Sequence, residues 1–299
     1  MNLTGAPRIA SLVPSLTELL VALGLREYIV ARTGFCIHPA AALREVPKIG
    51  GTKDVNLAKL RRLAPTHVLV NVDENRRETV EAIRAFTEVI DASDPSDARN
   101  ASHGHGAPQL IVTHPCGPDD NLALIEQLLG HFGRLDGVAQ RAAELTRALR
   151  HELDLTRPAG RPEQRVLYLI WRAPWMTVAR DTYLAQMLAR VHWSTWPVQT
   201  GGASGAARYP VLDGSEPWLA EVQRVLLSSE PYAFAGAQLP SYRAEAAALC
   251  PNARVQLVDG ELLSWYGARA VAGLRYLREL AADVNDAPAT PAAIAAPTA

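Results

Sequence analysis

Two short strings each bring a thiol and an imidazole within two residues of each other: Cys36-Ile37-His38 and His114-Pro115-Cys116. Together they hold two sulfur and two nitrogen donors, a sufficient set for tetrahedral zinc or another thiophilic ion. A metal site built from Cys36, His38, His114 and Cys116 is therefore one expectation. The pairs stand on separate loops at no recognised ligand spacing, so the plainer reading is a packed cysteine beside a hydrogen-bonded histidine. His103 and His105 fall in an insertion at 93–108 that reads as solvated loop.

Aromatic residues make up only 6% of the chain, yet Trp171, Trp175, Tyr183, Trp193, Trp196, Tyr209, Trp218, Trp265 and Tyr266 all fall in its second half. Such rings could wall a flat, partly apolar ligand, since Tyr and Trp offer an apolar face and one donor. They could equally bury area in a core or a domain seam. Trp175, Trp265 and Tyr266 stand beside Pro174 and Ser264 in turns, where a ligand is more accessible. Gly50-Gly51-Thr52-Lys53 precedes a helix and could receive an anion on backbone N–H groups, or simply turn the chain. The run 73–78 (Asp-Glu-Asn-Arg-Arg-Glu) reads as a solvated helix start, from which Asn75 or Arg76 could reach a polar ligand group.

Enzyme signatures are missing. The sequence contains no GxSxG, GxxxxGK[ST], HExxH or GxGxxG, and no nucleophile and base are placed together by spacing. The reading is therefore a binding protein, not an enzyme, with a cytosolic enzyme of cofactor metabolism as the alternative class. In 299 residues, 30 Lys and Arg almost cancel 31 Asp and Glu, leaving a net charge of −1 that would not draw in nucleic acid. Three cysteines are too few for a disulfide framework. No apolar run reaches the roughly 20 residues of a membrane span. The apolar stretch 9–25 is broken by Pro14 and Glu18 and lacks a lipid-attachment cysteine, so the chain as written reads as cytoplasmic, and as extracytoplasmic if Met1 is not the natural start.

The elements that must position these groups alternate. Strands are expected over 8–13, 28–33, 67–71, 87–91 and 110–113, with helices over 54–64, 74–86 and 119–129 and another starting at a Thr17 cap and stopping at Gly24. One amphipathic helix is expected over 133–156, about two dozen residues or roughly 36 Å, ending in the Pro-rich linker 157–162. Beyond it, strands are expected over 165–171, 176–180, 232–235 and 254–258 and helices over 182–190, 216–227 and 241–249. A helix-proline-strand pattern occurs twice, at 60–70 and 226–235. This order gives an α/β chain of two Rossmann-like lobes with mainly parallel sheets, 1–132 and 158–284, joined by a backbone helix at 133–157, with an Ala/Pro-rich tail from 285 to 299. Such lobes leave a crevice at the carboxyl ends of their strands.

The block Arg8 to Gly24, followed by Val-Pro-Lys-Ile-Gly-Gly-Thr at 46–52 and Leu-Ala-Pro-Thr-His-Val-Leu-Val at 63–70, resembles the vitamin B12-binding and ferric-siderophore-binding proteins of ABC importers. Phe-Cys-Ile-His-Pro at 35–39, Asp-Glu-Asn-Arg-Arg at 73–77, Ile-Trp-Arg-Ala-Pro-Trp-Met-Thr-Val at 170–178, Leu-Ser-Ser-Glu-Pro-Tyr at 227–232 and the 258–267 string resemble a subgroup, the helical-backbone metal receptors. The resemblance runs from about residue 8 to 280. It implies the class III periplasmic-binding-protein architecture, no required cofactor, and a metal chelate held between the lobes: cobalamin first, a siderophore or haem next. The ligand positions it implies are Pro14, Ser15, Phe35, Cys36, His38, Gly51, Thr52, Asn75, Trp171, Arg172, Trp175, Trp265 and Tyr266. It also implies an ABC permease as partner, for which Glu78 and Glu221 are candidate docking residues that match no family string.

Overall fold

Strands β1 (Ile9–Ser11) and β3 (His67–Asn71) are buried along their whole length, as the two inner strands of a parallel sheet must be when helices cover both faces. They sit between β2 (Ile29–Arg32) and β4 (Gln109–Thr113) in the order β2-β1-β3-β4, and β4, at the edge, alternates toward solvent. The chain is seen in a computed structural model that describes residues 5–87, 107–157, 160 and 162–282. The expected strand at 87–91 beyond Thr87, His103 and His105, residues 158, 159 and 161 of the Pro-rich linker and the tail lie outside the described residues.

The helices of this first lobe among the described residues are α1 (Pro14–Ala22), α2 (Ala40–Leu43), α3 (Leu57–Arg62), α4 (Arg77–Arg84) and α5 (Asp120–Phe132). Thr17 does not cap α1. Pro14 opens the helix, because its ring presets φ and its missing N–H is not needed at the first turn, and the Thr17 hydroxyl lies inside, 2.9 Å from Val13 O and 2.7 Å from Ser11 Oγ. Gly24 ends the segment in the left-handed region at φ 82°, with the Arg141 guanidinium so close that a Cβ would collide with it. The cap of α3 is Asn56, whose side chain accepts from Lys59 N at 2.8 Å.

The connecting helix α6 covers Val138–Leu155, 18 residues, or about 27 Å. It is shorter than expected because Gly137, at φ 70°, turns the chain after α5 before a new helix begins. Packed against α5 and the C-terminal helix, α6 buries Glu152 at 3% exposure.

The second sheet is parallel, in the order β10-β9-β5-β7, from β5 (Gln164–Leu169), β7 (Trp193–Thr195), β9 (Arg224–Ser228) and β10 (Arg254–Val258). A separate antiparallel ribbon pairs β6 (Trp175–Met176) with β8 (Val211–Leu212). The helices are α7 (Tyr183–Ala189), α8 (Leu239–Leu249), α9 (Gly260–Ser264) and α10 (Arg269–Ala282). Here three expectations fail. The helix over 216–227 is a 3-10 turn at Pro217–Glu221 followed by β9, whose five residues are all buried. A continuous apolar run buried on both faces carries no period by which to tell strand from helix. The segment 232–235 is consequently a loop after β9, which dissolves the second copy of the helix-proline-strand pattern. The strand expected over 176–180 contributes only its first residue, to the ribbon. Strand β7 and helices α9 and α10 had no counterpart in the expected element order.

Along β5 the pleat divides the interior: Val166 and Tyr168 join a core shared by both lobes, while Leu167 and Leu169 join a second core with Phe234 and Tyr242 on the other face. Helix α10 follows the second sheet in sequence yet packs against α1 and α6. Arg275 and Arg278 of α10 both reach Glu152 of α6, at 2.8 and 3.5 Å. Arg269, at its start, pairs with Glu18 of α1 at 2.8 Å and with Glu261 of α9. Asn121 of α5, wholly buried, donates to the Tyr183 hydroxyl at 3.0 Å and accepts from Gly267 N. These polar contacts tie the two sheets through a common interior.

Candidate functional site

In a parallel sheet every strand ends on the same edge, so the loops that follow the strands cluster there. The loops after β1, β2 and β3 meet those after β5, β9 and β10 across a cavity of about 670 Å³, a size typical of small-molecule sites. Its walls are mainly apolar and aromatic. Phe35 from the first lobe and Trp171 from the second are exposed at its rim, 61% and 40% respectively, while Tyr168, Tyr183, Tyr209 and Trp265 form the deeper wall. Trp171 is held edge-on by Tyr232, with ring centroids 5.4 Å apart.

Of the ligand positions implied by the sequence, Pro14, Ser15, Phe35, Thr52, Trp171, Trp265 and Tyr266 line this cavity. The others stand behind it or elsewhere. Cys36 is fully buried beneath the loop, its Sγ 3.1 Å from Thr33 Oγ1, and burial pushes its thiol pKa up. His38 lies beyond the wall, its Nε2 3.2 Å from Glu261 and its ring edge-on to Trp265. Gly51 lets the Phe35 ring come close, since a Cβ there would sit 3.3 Å from Cε2. Asn75 is buried and pins two loops, accepting from Asn71 N at 2.9 Å and donating to Thr52 O at 3.0 Å. Arg172 is turned away into a two-point pair with Glu245, at 2.7 and 2.9 Å, over the Tyr242 ring. Trp175 stacks on Phe234 in the second core. Trp193 is buried, and Trp196 packs on Trp218, away from the cavity.

The four-ligand metal site is not assembled. Cys36 faces inward against Thr33, and His38 engages Glu261. His114 stands with Cys116, at 3.5 Å, and with Asp73, at 3.5 Å. Among the described residues no three His, Cys, Asp or Glu side chains are placed to share one ion. Within each string the two donors are close in sequence, yet only His114 and Cys116 remain together; Cys36 and His38 are spent on separate neighbours.

The electrostatics of the cavity come from residues that sequence reasoning missed. Four acids, Asp73, Glu74, Glu230 and Glu261, line it with a single base among the described residues, Lys53. Asp73 is matched by the buried Arg208, 3.0 Å away, and Glu261 by Arg269. Glu74 and Glu230 have no cation within ion-pair distance among the described residues. Among the described residues Glu74 accepts one hydrogen bond, from the Tyr266 hydroxyl at 3.1 Å, and burial raises its pKa to about 7. Glu230 accepts from Trp265 Nε1 at 2.6 Å and Ser264 Oγ at 3.0 Å, and burial raises its pKa too. The Lys53 ammonium donates to Asp73 O at 2.7 Å, its pKa lowered by burial. Asp73 and Glu74 belong to the acidic string that reads as a solvated helix start, but α4 begins only at Arg77, which leaves them in the loop facing the cavity. Glu230 stands in the 227–232 string of the family resemblance, but no spacing there marks it as a residue of the cleft.

No protein-family model matches the sequence. A vitamin B12-binding protein of Photorhabdus laumondii is 32% identical over 96 residues, so the match spans about a third of each chain: 32% of this one and 34% of that relative. The fold is that of two solved structures. The periplasmic vitamin B12-binding protein BtuF of Vibrio cholerae superposes with a TM-score of 0.66 at 18% identity, over 93% of this chain and 98% of that one. The periplasmic haem-binding protein RhuT from Roseiflexus sp. RS-1, in apo form, does so with a TM-score of 0.68 at 21% identity, over 93% and 99%. The expected class III architecture and the motif resemblance both agree with these matches.

Proposed function

We propose that this chain is the substrate-binding protein of an ABC-type uptake system and holds a metal chelate between its lobes, a corrinoid first, haem or a ferric siderophore next. The observation that carries this reading is the open, aromatic-walled cavity at the carboxyl edges of two parallel sheets. It is supported by the fold shared with B12-binding and haem-binding proteins. The polar ties through Asn121, Glu152 and Arg269 hold the cleft preformed, which spares a ligand the cost of ordering it.

An uptake role places the working protein outside the cytoplasmic membrane, against the cytoplasmic reading of the first residues. Among the described residues no helix is long and apolar enough to cross a membrane. The partner is a permease. Of the two candidate docking residues, Glu78 is in the first turn of α4, on the cleft edge, and Glu221 precedes β9 at the opposite edge and pairs with Arg165, a placement that favours Glu78 over Glu221. The test is titration of the purified protein with cyanocobalamin, haemin and a ferric hydroxamate while tryptophan emission is followed. Saturable quenching by at least one of them is expected, and no quenching by any would overturn the proposal.

A further inference from the structure

We propose that Glu74 and Glu230 are the specificity-determining pair of the cleft, favouring a chelate whose edge offers N–H donors over one fringed by carboxylates. This rests on the chelate-binding reading. Each residue comes from a different sheet, Glu74 from the loop after β3 and Glu230 from the loop after β9, and both line the same cavity. Each spends Oε1 on the same dipeptide, Tyr266 for Glu74 and Trp265 for Glu230, with Ser264 also on Glu230. The Oε2 atom of each has no hydrogen-bond partner among the described residues. These are acceptors without a cation, in a cavity walled by rings, where an unmatched charge is costly.

A ligand carboxylate brought beside them adds like charge in a weakly screening space, and Lys53, engaged with Asp73 O, is the single base among the described lining residues. A ligand amide does the reverse, supplying the donor that each free oxygen lacks. The chemistry distinguishes a corrinoid, whose ring edge carries carboxamides, from haem, whose edge carries propionates.

The test is equilibrium dialysis at pH 8 of the wild-type chain, Glu74→Gln, Glu230→Gln and the double variant against dicyanocobinamide and haemin, with melting curves as a check on folding. The wild type is expected to bind cobinamide more tightly than haemin. Each substitution is expected to weaken cobinamide about tenfold, the loss of one charge-assisted bond, and to strengthen haemin, so that the double variant reverses the preference. A wild-type preference for haemin sinks the assignment without need of any variant, as does a cobinamide-to-haemin ratio unchanged by both substitutions. In either case chelate binding itself still stands. If neither compound nor a ferric hydroxamate binds the wild type, the chelate reading falls and this inference with it.

Discussion

The Tyr266 hydroxyl reaches Glu74 Oε1 at 3.1 Å across 192 residues of chain, joining the segment between α9 and α10 to the loop after β3. Its neighbour Trp265 makes the equivalent bond to Glu230, so one dipeptide holds an acid from each sheet at the floor of the cleft. This arrangement, more than any single ring, gives the cavity its chemical character.

Tyr266→Phe removes the only hydrogen bond that Glu74 accepts among the described residues, one that favours the ionised carboxylate. The Glu74 pKa should rise beyond its already elevated value, seen as a shifted titration of its side-chain carbon by NMR. The melting temperature should fall by the equivalent of about 1 kcal/mol. An unmoved titration would mean that the phenol does not set the carboxyl's state.

Because the Glu74 pKa is raised by burial from 4.5 to about 7, the folded chain holds a proton there that the unfolded chain has released. Stability associated with this group is therefore fully present below about pH 4.5 and is lost as pH rises through about 7. Lys53, Asp73, Glu230 and Tyr266 are the charged or titratable groups that act on it. Glu74→Gln should be more stable than wild type at pH 8, by about 1–2 kcal/mol after allowance for solvent at the open cleft. The difference should vanish near pH 4, and denaturant melts at the two pH values would check both points.

Phe35 and Trp171 stand exposed at opposite rims, whereas Trp175 is committed to Phe234. Phe35→Ala and Trp171→Ala are expected to weaken chelate binding about tenfold or more with a melting temperature near wild type. Trp175→Ala should do the opposite, costing about 3 kcal/mol of stability through the space left beside Phe234 and sparing affinity in whatever fraction stays folded. Measured together, titration and melting separate the two roles.

Glu152 is the point at which α6 and α10 are fastened. Glu152→Ala leaves Arg275 and Arg278 able to turn to solvent, so the expected loss is about 2 kcal/mol, below that of an isolated buried charge. A chemical-denaturation midpoint unchanged by the substitution would show that packing alone holds the helices.

Among the described residues no three of the candidate ligands come together, which predicts that zinc added to metal-free protein does not raise its melting temperature, because a site must bind the folded state to stabilise it. A rise that depends on zinc concentration and disappears in Cys36→Ser would contradict this.

Much of the architecture could be read from one dimension. The strands at 67–71 and 254–258 end where the residue pattern places them, because an apolar run between turn residues is a local property. Trp171, Trp265 and Tyr266 could be found because aromatic residues near strand ends are visible as text, whereas Phe35 came only with the family resemblance of the string 35–39. The stretch 216–227 could not be read, since a strand buried on both faces has the same apolar look as a buried helix. Nor could the fate of Arg172 and Trp175, which depend on Glu245 and Phe234, tens of residues away.

What the residues alone determined, then, is the alternation of strand and helix and the edge on which the loops gather, both consequences of hydrophobic period and chain direction. What only the tertiary structure decided is which side chains face one another across that edge. It set Cys36 against Thr33 and His38 against Glu261 while His114 stayed with Cys116, and among the described residues it left two acids without a cation, because partners in a folded chain are set by packing in three dimensions, not by distance along the backbone.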